Sequence, residues 1–304
     1  MKIRLISLLL ILLLALSACS GGSTTPAETK APEPKPTETT APETEAPVTT
    51  EALAFEPIVL LDSEGCAFTV TDITVDDVWG YTFHVQCENR GETTQLFRIP
   101  TASCRGWLLN ADCALMVDAG ETKASDFNIW PSDLARCEME TLDELRFRLT
   151  VTDPNNYSAE PIADENCVIY PTGLSEQEIA PSPMHRQRDK ELTLADTDDF
   201  LFAVCGRDED NIWTYNLTLY IENKSDQDLT FSWKDVTVNG VETDPWFYYT
   251  VPAGLKACFN LFFNEDDMKA KEIEALELVD FTLVVTPIDS FQELYREVFR
   301  YTVQ

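Results

Sequence analysis

The chain has 304 residues, with 53 Asp or Glu against 22 Lys or Arg, and a formal net charge of −31 at neutral pH. A surface this acidic repels phosphate backbones and anionic lipid headgroups alike, which excludes nucleic acid and direct membrane-surface partners. Only 11 glycines and two histidines are present, so glycine-rich phosphate loops and His-based metal sites have little to be built from.

Lys2 and Arg4 precede an apolar run from Leu5 to Leu16, followed by Leu16-Ser17-Ala18-Cys19 and Ser20-Gly21-Gly22. The run is too short for a stable span, and small residues flank a cysteine whose thiol can accept a diacylglyceryl group. Residues 1–18 therefore read as a lipoprotein signal peptide and Cys19 as the lipidated N-terminus, with an ordinary secretory leader as the alternative. The expected location is the extracellular face of the cell membrane, with membrane contact through the lipid only. Residues 19–55 are built from Pro, Thr, Glu and Ala and cannot bury enough apolar surface to fold. They read as a disordered stalk; at about 3.1 Å per residue in a polyproline conformation it could reach on the order of 100 Å.

A repeat at a constant offset of 134 residues organises the rest. Phe68, Val70, Trp79, Tyr81, Glu88, Asn89 and Phe97 recur as Phe202, Val204, Trp213, Tyr215, Glu222, Asn223 and Phe231, and the register persists to Val151-Thr152 and Val285-Thr286. This predicts two copies of one domain, at 56–172 and 190–304, joined by a Pro-containing polar linker at 173–189. Each copy alternates with period two: Trp79, Tyr81, Phe83, Val85 and Cys87 in the first, and Trp213, Tyr215, Leu217, Leu219 and Ile221 in the second. One face of these strands is expected to be core and the other wet. The runs Leu145–Val151 and Val279–Val285 alternate likewise, and Pro131-Ser132-Asp133 and Asn264-Glu265-Asp266-Asp267 carry helix-start chemistry. About seven strands per copy predict an all-β fold of two tandem β-sandwiches.

The pattern Trp-x-Tyr-x-Phe-x-Val-x-Cys-Glu-Asn-Arg from Trp79, its second-copy form Trp-x-Tyr-x-Leu-x-Leu-x-Ile-Glu-Asn-Lys, and the later Ala-Gly pairs and Leu-x-x-x-x-Phe-x-Leu-x-Val-Thr strands resemble the immunoglobulin-like domains of Gram-positive surface lipoproteins. The resemblance implies immunoglobulin-like sandwiches in an extracellular setting. It brings no single activity with it.

Cys66, Cys87, Cys104 and Cys113 align with Phe200, Ile221, Val238 and Phe247, so they stand where the other copy uses core hydrophobes. The sequence favours reduced core thiols over a disulfide framework, with Cys104–Cys113 the best-placed pair if one forms. No Cys-x-x-Cys occurs, His84 falls on a wet strand face and His185 in the linker, and no metal or other cofactor is expected. Asp208-Glu209-Asp210-Asn211 offers oxygen ligands for calcium but reads first as a solvated turn. Neither Gly-x-Ser-x-Gly nor His-Glu-x-x-His is present, and the expectation is a non-enzyme. A surface hydrolase or accessory subunit with convergent carboxylates is the alternative.

Within Asp244-Pro245-Trp246-Phe247-Tyr248-Tyr249 the repeat register turns Phe247 and Tyr249 inward and Trp246 and Tyr248 outward. Exposed aromatics of this kind stack on sugars or anchor a protein. Trp246 and Tyr248 are thus the candidate binding residues of a surface binding or structural module for a surface protein or glycan, unless the linker or the first copy covers them.

Overall fold

The computed structural model describes residues 56–303 except 112, 157, 209–214 and 291. The leader, Cys19, the stalk, Trp213 and most of the acidic cluster at 208–211 lie outside the described residues. The first half forms strands β1 (Ile58–Asp62), β2 (Cys66–Asp76), β3 (Gly80–Asn89), β4 (Gln95–Cys104), β5 (Trp107–Leu109), β6 (Ala114–Val117) and β7 (Thr122–Ile129), then helix α1 (Pro131–Arg136), β8 (Leu145–Thr152) and β9 (Ala163–Ile169). The second half repeats the series as β10 (Leu192–Asp196), β11 (Phe200–Val204), β12 (Asn216–Asn223), β13 (Leu229–Val238), β14 (Val241–Glu242), β15 (Tyr248–Val251), β16 (Lys256–Phe262), α2 (Glu265–Ala270), β17 (Leu278–Pro287) and β18 (Tyr295–Thr302). The short strands β5 and β6, and their counterparts β14 and β15, bring each half above the seven strands expected.

In the first half, β1-β2-β3-β7 form one sheet and β5-β4-β8-β9, with β6 beside β4, form the other. The chain crosses between sheets after β3, back after β6 and again after β7, so β3 pairs β7 while β4 pairs β8 and β8 pairs β9. That is the Greek-key pairing of an immunoglobulin-like sandwich. The second half has the same pairings, down to one bulge: Ile58↔Val70 with a shift between Val59 and Leu61 becomes Leu192↔Val204 with a shift between Thr193 and Ala195. Two registers depart from the offset of 134: the bulge between Arg98 and Thr101 in the β4–β8 pair falls between Lys234 and Thr237 in the β13–β17 pair, and the last hairpin is shifted as well. Leu145 faces Ile169, whereas Val279 faces Tyr301, because the second connection is two residues shorter.

Each half has its own core between its sheets. Phe83 stacks on Phe127, which meets Phe147 edge-on across the first sandwich; in the second, Phe202 contacts Phe231 and Phe281, and Trp233 stacks on Phe281 at 3.8 Å. Phe147 and Phe281 occupy equivalent buried positions.

Trp79 does not share in this core. It stands in the turn before β3, 52% exposed, with its ring 5.1 Å from that of Trp130. The alternation stops at Gly80, whose φ of +69° turns the chain and whose missing Cβ would meet the Ile129 carbonyl at 2.3 Å. The expected wet face of β12 is also overturned: Asn216, Thr218 and Tyr220 are buried along with Leu217, Leu219 and Ile221.

The reason lies at the junction of the halves. Strand β5 bridges β16 in parallel at Trp107 and Lys256, so the second sheet of one sandwich continues into the first sheet of the other as β10-β11-β12-β16-β5-β4-β8-β9. The connecting segment then packs over β12. Trp107 Nε1 donates to the Pro183 carbonyl at 3.3 Å, and the His185 ring stacks on Tyr220 at 3.7 Å with Nε2 2.7 Å from Glu191 Oε2. Ala203, Cys205, Tyr220 and Cys258 of the second half consequently belong to the apolar cluster of the first.

All eight described cysteines are buried, and none is joined to another in a disulfide. Cys87 lies within electrostatic reach of Cys113 and Cys66, while the neighbours of Cys104 are Glu144, Arg105 and Asp143.

Candidate functional site

Residues 243–248 alternate as the register required: Thr243, Pro245 and Phe247 are buried, and Asp244, Trp246 and Tyr248 are exposed. Phe247 is fixed from below by Trp233, at 5.2 Å between ring centroids, and by Phe202 at 6.4 Å. Strand β15 pairs the edge of β13 with Ser232 opposite Tyr248 and Phe231 opposite Tyr249. These contacts hold Trp246 and Tyr248 outward, 72% and 60% exposed. Neither the connecting segment nor the first sandwich covers them.

Both aromatics border a groove of about 570 Å³ on the outer face of the second sandwich. Its floor comes from the outward positions of β13 and β17, including Thr230, Ser232 and Thr286. Thr230 Oγ1 lies 2.9 Å from Thr250 Oγ1, and Ser232 Oγ donates to the Val284 carbonyl at 3.5 Å. At one end Lys234 Nζ stands 3.8 Å from Glu293 Oε1. Arg296 hydrogen-bonds both oxygens of Glu293 and holds its carboxyl below the usual carboxylate range, so the groove keeps a fixed negative charge at neutral pH. Beneath the aromatics, the buried indole Nε1 of Trp233 has no hydrogen-bond partner among the described residues.

The arrangement offers two ring faces for stacking, hydroxyls for hydrogen bonding and one charge pair for orientation. This suits recognition of a surface that combines apolar patches with polar groups. Sequence reasoning found the two rings but not the floor, because the floor is assembled from strands about 50 residues apart. The available signal was the outward-facing period of 230–234 and 284–286, whose pairing register could not be read without the fold.

The two histidines occupy different settings. His84 lies on the outer face of β3, its Nδ1 2.7 Å from Asp126 and its Nε2 3.1 Å from Thr74 Oγ1. His185 is enclosed at the junction by Tyr220, Trp107, Glu138 and Glu191. Among the described residues, no cluster of three or more His, Cys, Asp or Glu is set to hold a metal ion, and no helix is long and apolar enough to cross a membrane.

No family model and no curated protein matches the chain. Among solved structures it is similar to a protein of unknown function from Porphyromonas gingivalis W83, with 13% identity, 73% of this chain and 91% of that chain covered, and a TM-score of 0.21. It is also similar to the CsuC–CsuE chaperone-tip adhesion subunit pre-assembly complex of Acinetobacter baumannii Csu pili, with 11% identity, coverage of 73% and 92%, and a TM-score of 0.22. Superposition this loose says nothing about what the present chain binds.

Proposed function

We propose that this is a lipid-anchored extracellular binding protein, held by Cys19, extended by the stalk at 19–55, and presenting the outer face of its second sandwich to a surface protein or glycan. The observation that carries the binding role is the outward fixing of Trp246 and Tyr248 beside a groove with a polar floor. Ordinary surfaces scatter large aromatics singly, whereas two exposed side by side at the entry to β15 and beside a concavity form an anchor pair. The anchoring part of the reading rests on the Leu16–Cys19 sequence alone.

The test uses the Trp246→Ala/Tyr248→Ala double variant in pull-downs from surface extracts, with Cys19→Ala run in parallel through membrane fractionation. The double variant should keep its thermal stability, since exposed substitutions usually change stability by no more than about 0.5 kcal/mol. Its affinity for the captured partner should fall by about 2 kcal/mol or more. Unchanged capture would reduce the pair to ordinary surface aromatics. Normal processing and membrane retention of Cys19→Ala would remove the lipid anchor.

A further inference from the structure

The chemistry of the groove beside Trp246 and Tyr248 belongs to the second copy alone. At the repeat offset Trp246, Tyr248, Ser232 and Lys234 correspond to Asp112, Ala114, Arg98 and Pro100. The backbone pairing is the same in both copies, with Ser232 opposite Tyr248 in one and Arg98 opposite Ala114 in the other. The sandwich is therefore built equally well without the rings and the hydroxyl, and their presence here answers to what the groove meets.

Its contents separate two kinds of occupant. Thr230, Ser232 and Thr286 lie on the floor, and Lys234 and Glu293 stand at one end. A hydroxyl has one hydrogen to donate and two lone pairs to accept with. The Thr230–Thr250 contact commits one hydrogen between two hydroxyls, and the bond from Ser232 to the Val284 carbonyl, at 3.5 Å, is long for a hydrogen bond. An apolar protein side chain pressed into the groove would strip water from these groups and from the charge pair without replacing the lost hydrogen bonds, at a cost for each group left unmet. A sugar ring meets both requirements: its axial C–H groups pack on an aromatic face, while its equatorial hydroxyls donate and accept around the edge. Charge narrows the class further. The chain carries a net charge of −31, and Arg296 holds the Glu293 carboxyl ionised at the end of the groove, so uronate-, sialate- or phosphate-bearing chains are repelled.

We infer that the groove takes a neutral oligosaccharide of equatorially substituted pyranose rings, stacked on Trp246 and Tyr248 with its hydroxyls toward Ser232, Thr286 and the Lys234–Glu293 pair. This rests on the binding role proposed for the two aromatics and names the chemistry of what they hold. The volume of about 570 Å³ lies within the roughly 300–1,000 Å³ of small-ligand sites, so the groove holds a short stretch of such a chain.

The test is isothermal titration of the full chain with cellotetraose and, separately, with chitotetraose, alongside the cellouronate tetramer, the carboxylate analogue of the first probe. Saturable binding of at least one neutral probe is expected, with the cellouronate tetramer bound at least about tenfold more weakly than cellotetraose or not at all. Trp246→Ala should weaken the neutral probe at least about tenfold and Ser232→Ala several-fold, while Tyr248→Phe, which keeps the ring face, should cost less than Tyr248→Ala. Circular dichroism establishes that each variant is folded; if Ser232→Ala does not fold, the variants at the exposed Trp246 and Tyr248 decide. Failure of both neutral probes to bind would overturn the inference, as would equal binding of the cellouronate tetramer or wild-type affinity in Trp246→Ala. Capture of a surface protein that the Trp246→Ala/Tyr248→Ala variant loses, with neither sugar bound, would overturn the oligosaccharide and leave the binding role standing.

Discussion

Asn89 and Asn223 show how single residues fix each sandwich. Each is 1% exposed. Asn89 Nδ2 donates to the carbonyls of Thr93 and Val117, and its Oδ1 accepts from Gly91 N; Asn223 does the same with Gln227, Val251 and Ser225. The side chain thereby ties the turn after β3 or β12 to the neighbouring short strand. Asn89→Ala should destabilise the protein by about 2–3 kcal/mol, since it leaves the buried Val117 carbonyl and two part-buried backbone groups short of a partner; urea unfolding measures it, and a change under 1 kcal/mol would refute the clamp. The repeated Glu-Asn pair was visible in the sequence, but its purpose was not, because one partner sits 28 residues away. The thiols were more legible, because the other copy's Phe and Ile already marked those positions as core. Burial raises Cys87 from its ordinary value of 9.0 to about 12, and Cys104 and Cys167 to about 11. An acid whose pKa is higher in the folded state releases its proton first on unfolding. The stabilisation these thiols give is full below pH 9 and drains away as pH rises toward 11–12. Urea midpoints across this range should fall progressively, and Cys87→Val should flatten the fall; a midpoint unchanged to pH 11 would contradict it.

At the level of elements, the alternating strands were readable because period two survives wherever one face is buried against the opposing sheet. The failures sit at strand ends and turns. The β4–β5 hairpin turns at Arg105-Gly106, with φ of 49° and 81°; its counterpart is Asn239-Gly240, with φ of 52° and 81°. Positive φ at both central residues is the requirement of the tight turn that Asn-Gly favours, so the signal was present in the second copy and could have been carried to the first. The two helices also differ in how they start. Asn264 Oδ1 accepts from Asp267 N, a side-chain cap, whereas α1 begins at Trp130 without one and relies on Pro131 at its first position. Asn264→Ala should therefore cost about 1 kcal/mol, while Trp130→Ala removes no capping bond. Equal losses attributable to helix fraying in both variants would show that the cap is not the cause.

The arrangement of the whole molecule was the least legible level. Period two in 216–221 promised a wet face that burial denies, and the polar run 185–190 reads as a spacer although its side chains are interlocked with both sandwiches. His185 stacks on Tyr220, Arg105 reaches the Pro181 carbonyl, and the Arg186 backbone N–H meets Glu138. Composition describes what a segment can do in isolation, and here complementary surfaces 30 to 80 residues away decide otherwise. The consequence is thermodynamic. If the halves were beads on a string, a lesion in the first would lower only its own transition. The buried bridge from Trp107 through His185 to Tyr220 instead makes each half part of the other's folded environment, so the two should unfold together. In differential scanning calorimetry, Asn89→Ala should move one unsplit transition downward by about 2–4 °C per kcal/mol lost. Adding Trp107→Ala, which empties a fully buried site at the junction, should cost about 3–5 kcal/mol more and divide the endotherm in two. Two separate peaks in Asn89→Ala alone, one of them at the unaltered temperature, would show that the halves fold independently and that the junction is contact without coupling.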